Sequence, residues 1–287
     1  MSEPLVYSLV AGLVTGMAAG YVGSLMILKR MALVGDVLSH VALPGIALGL
    51  LFNFNPFLGA FAFLFAAVVA TWYLERSTRL PLDAVIGVLF VFALAIGILI
   101  TPQADLLDAL FGDVSNVALL DALLAVVISL GILFVGRRIY RRVILSLISE
   151  DLAIAKRVNV GRIDFLYLLL VALVVATGIK VVGMLLVGAV VILPAVSAKN
   201  VSRSLAGYAF LSAVLGMITA GGGIALAAAL PWFVPGLVAV PPGPLVVVSG
   251  TAVFLGTVAL RLRGSSGRPK PLRRTDSTEG NPRRPAA

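Results

Sequence analysis

Two side chains able to hold a metal ion or move a proton, Asp36 and His40, stand four residues apart in a stretch that otherwise reads as membrane sequence, residues 31–51 (MALVGDVLSHVALPGIALGLL). His40 is the only histidine of the chain. In a helix this spacing puts both on one face. An ionisable group at a bilayer centre costs at least roughly 2.5–3.5 kcal/mol, so two on one stripe point to a bundle interior, a watery path or a ligand. Carboxylate oxygen and imidazole nitrogen both ligate divalent transition metals, and an i, i+4 pair can aim both donors at one ion. The plainer alternative is an intrahelical Asp36–His40 hydrogen bond near a membrane face.

Pro44 and Gly45 follow at once. Proline has no N–H for the His40 carbonyl one turn back, so a kink is expected there, with a backbone acceptor left free beside the pair.

The elements that must hold this pair are membrane helices. Hydrophobic residues make up 60% of the 287 and charged residues 12%, against about a quarter charged in soluble domains. No cysteine is present, which removes disulfides, thiolate sites and redox relays. The first residues carry neither a basic n-region nor a cleavage signal, so the first apolar run is expected to stay as a helix.

Apolar runs near 6–28, 31–51, 57–74, 84–100, 118–136, 163–179, 181–197, 207–230 and 244–260 are close to the 17–25 residues that a crossing helix needs. The fold expected is therefore an all-α polytopic membrane protein of about nine spans, alternatively eight. Lys and Arg fall on alternate connections: Lys29, Arg30, Arg76, Arg79, the 137–162 segment, Lys199, Arg203 and the tail, with Lys180 alone on the other side. The positive-inside rule then puts the N-terminus outside and the C-terminus in the cytosol.

Net charge is +9, but only +3 belongs to the body, because eight basic residues from Arg261 onward face only Asp276 and Glu279. This divides the chain into a membrane-spanning body, 1–262, and a Pro/Gly/Ser/Arg-rich tail, 263–287, expected to be disordered beside anionic headgroups. No nucleic-acid partner is implied.

Two inner segments could meet a soluble partner or be plain solvated loops. Residues 136–162 (GRRIYRRVILSLISEDLAIAKRVNVGR) contain Ser149 ahead of Glu150, Asp151 and Leu152, the pattern of a capped interfacial helix over about 147–160. After Pro194, the run Ala195, Val196, Ser197, Ala198, Lys199, Asn200, through Arg203 to Leu205 reads as a second short, polar and basic helix. The acidic outer loop (TPQADLLDALFGDVSNV, with Asp105, Asp108 and Asp113) suits either solvation or a partner.

The chain lacks G-x-x-x-x-G-K-S/T, so ATP, if used, binds another subunit. It also lacks G-x-S-x-G and H-E-x-x-H, which makes an enzyme the weakest class.

Residues 30–45 (RMALVGDVLSHVALPG) resemble the R-R-M-x-L-x-G-D-x-x-S-H-x-x-L-P-G stretch of the permease subunits of ABC importers for zinc, manganese and related divalent metals. Residues 180–195 (KVVGMLLVGAVVILPA) are similar to that family's V-G-x-L-L-V-x-A-L-L-I-x-P-A segment. Leu110 to Asp113 resemble its L-F-G-D loop, and Ser149 to Ala153 its S-x-D-L-A. The resemblance spans about residues 5–260. It implies a homodimer that binds two cytosolic ATPases and receives zinc, manganese or iron from an extracytoplasmic binding protein, with no resident cofactor. By the same resemblance Asp36 and His40 lie on the metal path, and Pro194, Ala195, Ser197, Lys199, Asn200 and Arg203 form the ATPase-coupling segment. Glu150, Asp151 and Leu152 are then the second cytosolic contact. Two copies would supply four ligands where one supplies two. Acid should compete with metal for His40. The main rival is a proton-coupled secondary transporter using Asp36 and His40 as a relay, which needs no ATPase.

Overall fold

A computed structural model describes residues 3–78, 80–100, 119–184, 186–233 and 241–265. The described residues form helices joined by short turns, as expected where backbone polar groups in lipid must be satisfied within each segment. The helices are α1 (Glu3–Leu28), α2 (Val34–Val41), α3 (Leu43–Leu51), α4 (Pro56–Thr78), α5 (Leu82–Ile100), α6 (Leu119–Ile148), α7 (Glu150–Ala155), α8 (Val160–Val182), α9 (Val187–Val201), α10 (Leu205–Phe233) and α11 (Pro242–Ser265). Taking α2 and α3 together, eight stretches among the described residues are long and apolar enough to cross a membrane. Helix α9 is apolar but has 15 residues.

Polar contacts fix which helix ends lie together. At one end Lys29, just after α1, pairs with Asp164 of α8 at 2.6 Å, Trp72 Nε1–H donates to the Gly161 carbonyl (3.0 Å), and Tyr140 O–H donates to the Leu205 carbonyl (3.0 Å). At the other end Lys180 of α8 pairs with Asp121 of α6 and sits over the Phe57 ring. Helix α9 runs alongside α11 in the same direction: Gly243 of α11 faces Leu186, Gly250 faces Leu193, and Asn200 Nδ2–H donates to Thr257 Oγ1 (3.2 Å). The described chain thus passes from end to end nine times, with α9 as the short passage, so α1 and α11 run in the same direction and both finish at the end that holds Lys29.

Helix α1 is the central post, packed by α10, α6, α9 and α8. Glycine lets two backbones approach here: Gly16 lies against Gly216, and Gly20 against the Ser212 carbonyl, so α1 and α10 run antiparallel with almost no side chain between them. Leu25, Met26, Tyr167, Leu168, Met184 and Ile224 are fully buried members of the core.

Four expectations change. The free acceptor expected beside Pro44 is taken up: where α2 ends at Ala42, cap N–H groups turn back onto the Ser39 and His40 carbonyls, and α3 starts with Pro44 in its first turn. The long inner connection is half helix, because α6 continues through Arg137 to Ile148, with Ile139, Tyr140 and Val143 keeping a buried stripe. The capped helix is present but brief. Ser149 accepts the Leu152 N–H at 3.2 Å as N-cap, and α7 stops at Ala155, before Arg157 turns left-handed at φ 56°. Pro194 opens no separate coupling helix: residues 194–201 are the last turns of α9, followed by a bend into α10. The expected tail, 263–287, lies outside the described residues beyond Ser265 of α11, as does the acidic loop with Asp105, Asp108 and Asp113.

Candidate metal-transit site

Helix α2 is placed by its first residues. The chain reverses out of α1 through Arg30, held at φ 61°, with Met31 N–H bonded to the Met26 carbonyl (2.9 Å). Val34, Leu38 and Val41 then bury against the bundle. That packing turns Asp36 and His40, both half-buried, onto the opposite side, as their spacing required.

Asp36 lies against α9. A Cβ built on Gly188 would come within 2.7 Å of the Asp36 Cβ and 3.0 Å of its Oδ1, so the missing side chain at 188 is what makes room for the carboxylate. The Ser39 hydroxyl, fully buried, donates to the Asp36 carbonyl at 2.6 Å and does not touch the carboxylate. His40 packs on Phe90 of α5, ring centroids 5.6 Å apart at 58°. Its Nδ1 is buried without a hydrogen-bond partner. Among the described residues no hydrogen bond or ion pair links Asp36 to His40, so the pair is not spent on itself.

Pro44 and Gly45 lie one turn on and are buried. Gly45 faces Gly59 of α4, which makes it a close-packing residue in the α3–α4 hairpin as well as part of the joint beside the pair. Among the described residues no group of three or more His, Cys, Asp or Glu could enclose an ion. One chain therefore brings one carboxylate and one imidazole to this face of α2. Neutral imidazole and carboxylate suit zinc, manganese and ferrous iron alike.

The residues expected to meet an ATPase divide by burial. Pro194, Ala195 and Ser197 are buried inside the bundle, with Ser197 Oγ–H bonded to the Leu193 carbonyl (2.7 Å). Lys199 and Arg203 are exposed at the end of the bundle that also holds Lys29. Asn200 is half-buried, donating to Thr257 and accepting from Arg261 at 3.2 Å. Glu150, Asp151 and Leu152 are exposed on α7 while Ala153 anchors that helix in the core. Gly188 and Phe90, which shape the pair, were missed in the sequence; the sole trace of Gly188 was its position inside the 180–195 motif.

Comparison with known proteins agrees with this architecture. The family model described as the ABC 3 transport family matches residues 1–261. The chain is 31% identical over 252 residues to the manganese import system permease protein ScaB of Streptococcus gordonii, covering 86% of this chain and 88% of that protein. It is 27% identical over 274 residues to the high-affinity zinc uptake system membrane protein ZnuB of Haemophilus influenzae, covering 92% and 100%. Among solved structures it is similar to PsaBC from Streptococcus pneumoniae in complex with Fab, at a TM-score of 0.76 and 28% identity over 90% of this chain and 91% of that one. The fold, the match over almost the whole helical body and the agreement of these relatives lead to one conclusion: the chain belongs to the ABC 3 transport family and is a multi-pass permease subunit of the cell membrane.

Proposed function

We propose that this chain is the permease of an ATP-driven importer of a divalent transition metal, and that two copies form the pathway. The observation that carries the reading is the Asp36–His40 pair on α2: two metal donors on one face, not paired with each other, with His40 Nδ1 buried and unpartnered. The permeases it resembles are named for manganese and zinc. A buried donor without a partner is costly to keep, so a ligand that satisfies it part of the time is the economical explanation.

In this reading the end of the bundle bearing Lys29, Arg137, Arg138, Arg141, Arg142, Lys199 and Arg203 faces the cytosol. A separate extracytoplasmic binding protein delivers the ion to the other end. The Asp36 carboxylate and neutral His40 imidazole of each copy hold it, giving four donors across a two-fold axis. ATP, bound and hydrolysed by cytosolic partner subunits, drives the rearrangement that opens the site inward. Those partners dock on Lys199, Asn200 and Arg203, with Glu150, Asp151 and Leu152 as the second contact; Pro194, Ala195 and Ser197 support the docking turn from within. Few ligands and no thiolate keep binding weak enough for release.

Calorimetric titration of the purified permease with zinc and with manganese tests the site. One ion per two chains, lost in His40→Ala, is the result expected. Binding of one ion by each chain alone, or unchanged binding in the variant, would refute the shared site.

A further inference from the structure

The exposed face of α6 carries two kinds of residue in strict sequence. Leu119, Leu120, Leu123, Leu124, Val127, Leu130 and Phe134 are each more than half exposed, and the same face then presents Arg137, Arg138, Arg141 and Arg142. Eighteen residues make five turns of an α-helix, so residues that far apart share one angular position, about 27 Å along the axis. Leu119, Leu120, Leu123 and Leu124 stand in that relation to the four arginines, one for one. The spacing is close to the hydrocarbon thickness of a bilayer, about 30 Å. A face that meets acyl chains over that length therefore delivers four guanidiniums to the headgroup layer. The other side of the same turns, Ile139, Tyr140 and Val143, is buried in the bundle and holds the stripe in place.

Among the described residues none of the four is in an ion pair, and Glu150 and Asp151 of the adjoining α7 pair with none of them. The Arg138 guanidinium lies over the Phe134 ring, 4.9 Å from its centroid, which orients it at the junction of apolar and basic surface. We propose that this is a docking site for an anionic phospholipid: acyl chains along Val127, Leu130 and Phe134, and the headgroup phosphate held by Arg138 and Arg141 with Arg137 and Arg142 beside them. Guanidinium forks suit phosphate oxygens, and charge complementarity singles out an anionic lipid over a zwitterionic one. The bound lipid anchors the end of α6 where it hands over to α7.

The test is labelling of the full-length permease by photoactivatable phosphatidylglycerol in phosphatidylcholine vesicles, with photoactivatable phosphatidylcholine as the reference. Labelling is expected to concentrate at 130–142 and to favour phosphatidylglycerol. It should fall by about a hundredfold or more when all four arginines become Gln, since each basic residue at an anionic surface is worth about fivefold. Should that variant fail to insert, Arg138→Gln and Arg141→Gln singly, each expected to lower labelling about fivefold, replace it. Equal labelling by both lipids, or labelling indifferent to these substitutions, overturns the proposal. So does a cross-linker at position 138 that captures a second copy or another protein in place of lipid. Competition by inorganic phosphate alone would make it a site for the soluble anion and overturn the lipid assignment.

Discussion

Adding one methyl group at Gly188 tests whether the space beside Asp36 controls the metal site. The new Cβ would lie 2.7 Å from the Asp36 Cβ, where ordinary contact begins at 3.4 Å, so α2, α9 or the carboxylate must give by roughly 0.7 Å or more. The nearest atom, the Asp36 Cβ, is fixed to the backbone, and Oδ1 at 3.0 Å and Cα at 3.1 Å lie just behind it, so turning the carboxylate alone does not relieve the contact. A shift of that size at an ion ligand alters its reach. Disturbing the support of metal ligands typically changes affinity 10–100-fold, so Gly188→Ala should raise the half-saturating metal concentration for uptake by about tenfold. The assay is initial-rate uptake in vesicles over a range of manganese and zinc concentrations, with permease amount measured in the same preparation. Gly136→Ala is the control: its Cβ would meet Tyr21 Cε1 at 3.0 Å, a tight contact that involves neither member of the pair. A Gly188→Ala permease with normal half-saturation, or one that differs from wild type only in the amount folded, would refute the reasoning.

Lys29→Ala removes a charge from a largely buried pair and leaves Asp164 beside Tyr167 without its cation; about 1.5–3 kcal/mol of stability should go, seen as a lower melting temperature in detergent. Gly216→Ala forces a Cβ onto the Gly16 carbonyl, and the loss of about 1–3 kcal/mol should show in the same melting curves. Lys199→Glu with Arg203→Glu reverses the exposed charge at the turn from α9 to α10, and should cut co-purification of the ATPase without changing the melting temperature by more than a degree or two.

Much of this was legible because membrane sequence is simple: long apolar runs give helices, and an i, i+4 Asp–His pair must share a face. The joint at Pro44 was legible for the same reason, though the fate of the His40 carbonyl was not. Cap N–H groups reach it by a local turn that no residue type announces. Hydropathy ended the fifth run at Gly136 because arginines follow, yet Ile139, Tyr140 and Val143 continue the buried stripe at helical spacing, and packing carries α6 onward. Pro194 looked like a boundary and is an interior proline. Its missing N–H is tolerated within a bundle where Ser197 bonds back to Leu193 and buried neighbours hold the turn. The partners of Asp36 and His40, Gly188 and Phe90, come from distant helices, and only the folded chain puts them beside α2.

The central claim is that Asp36 and His40 carry a transported metal driven by a partner's ATP. The most direct measurement is uptake of manganese and zinc into vesicles holding the permease with its ATPase and binding protein, with and without ATP, for wild type, Asp36→Ala and His40→Ala. The account predicts ATP-dependent uptake that collapses in both variants while the complex stays assembled. Uptake that runs on a proton gradient without ATP, or that is indifferent to both substitutions, would contradict it.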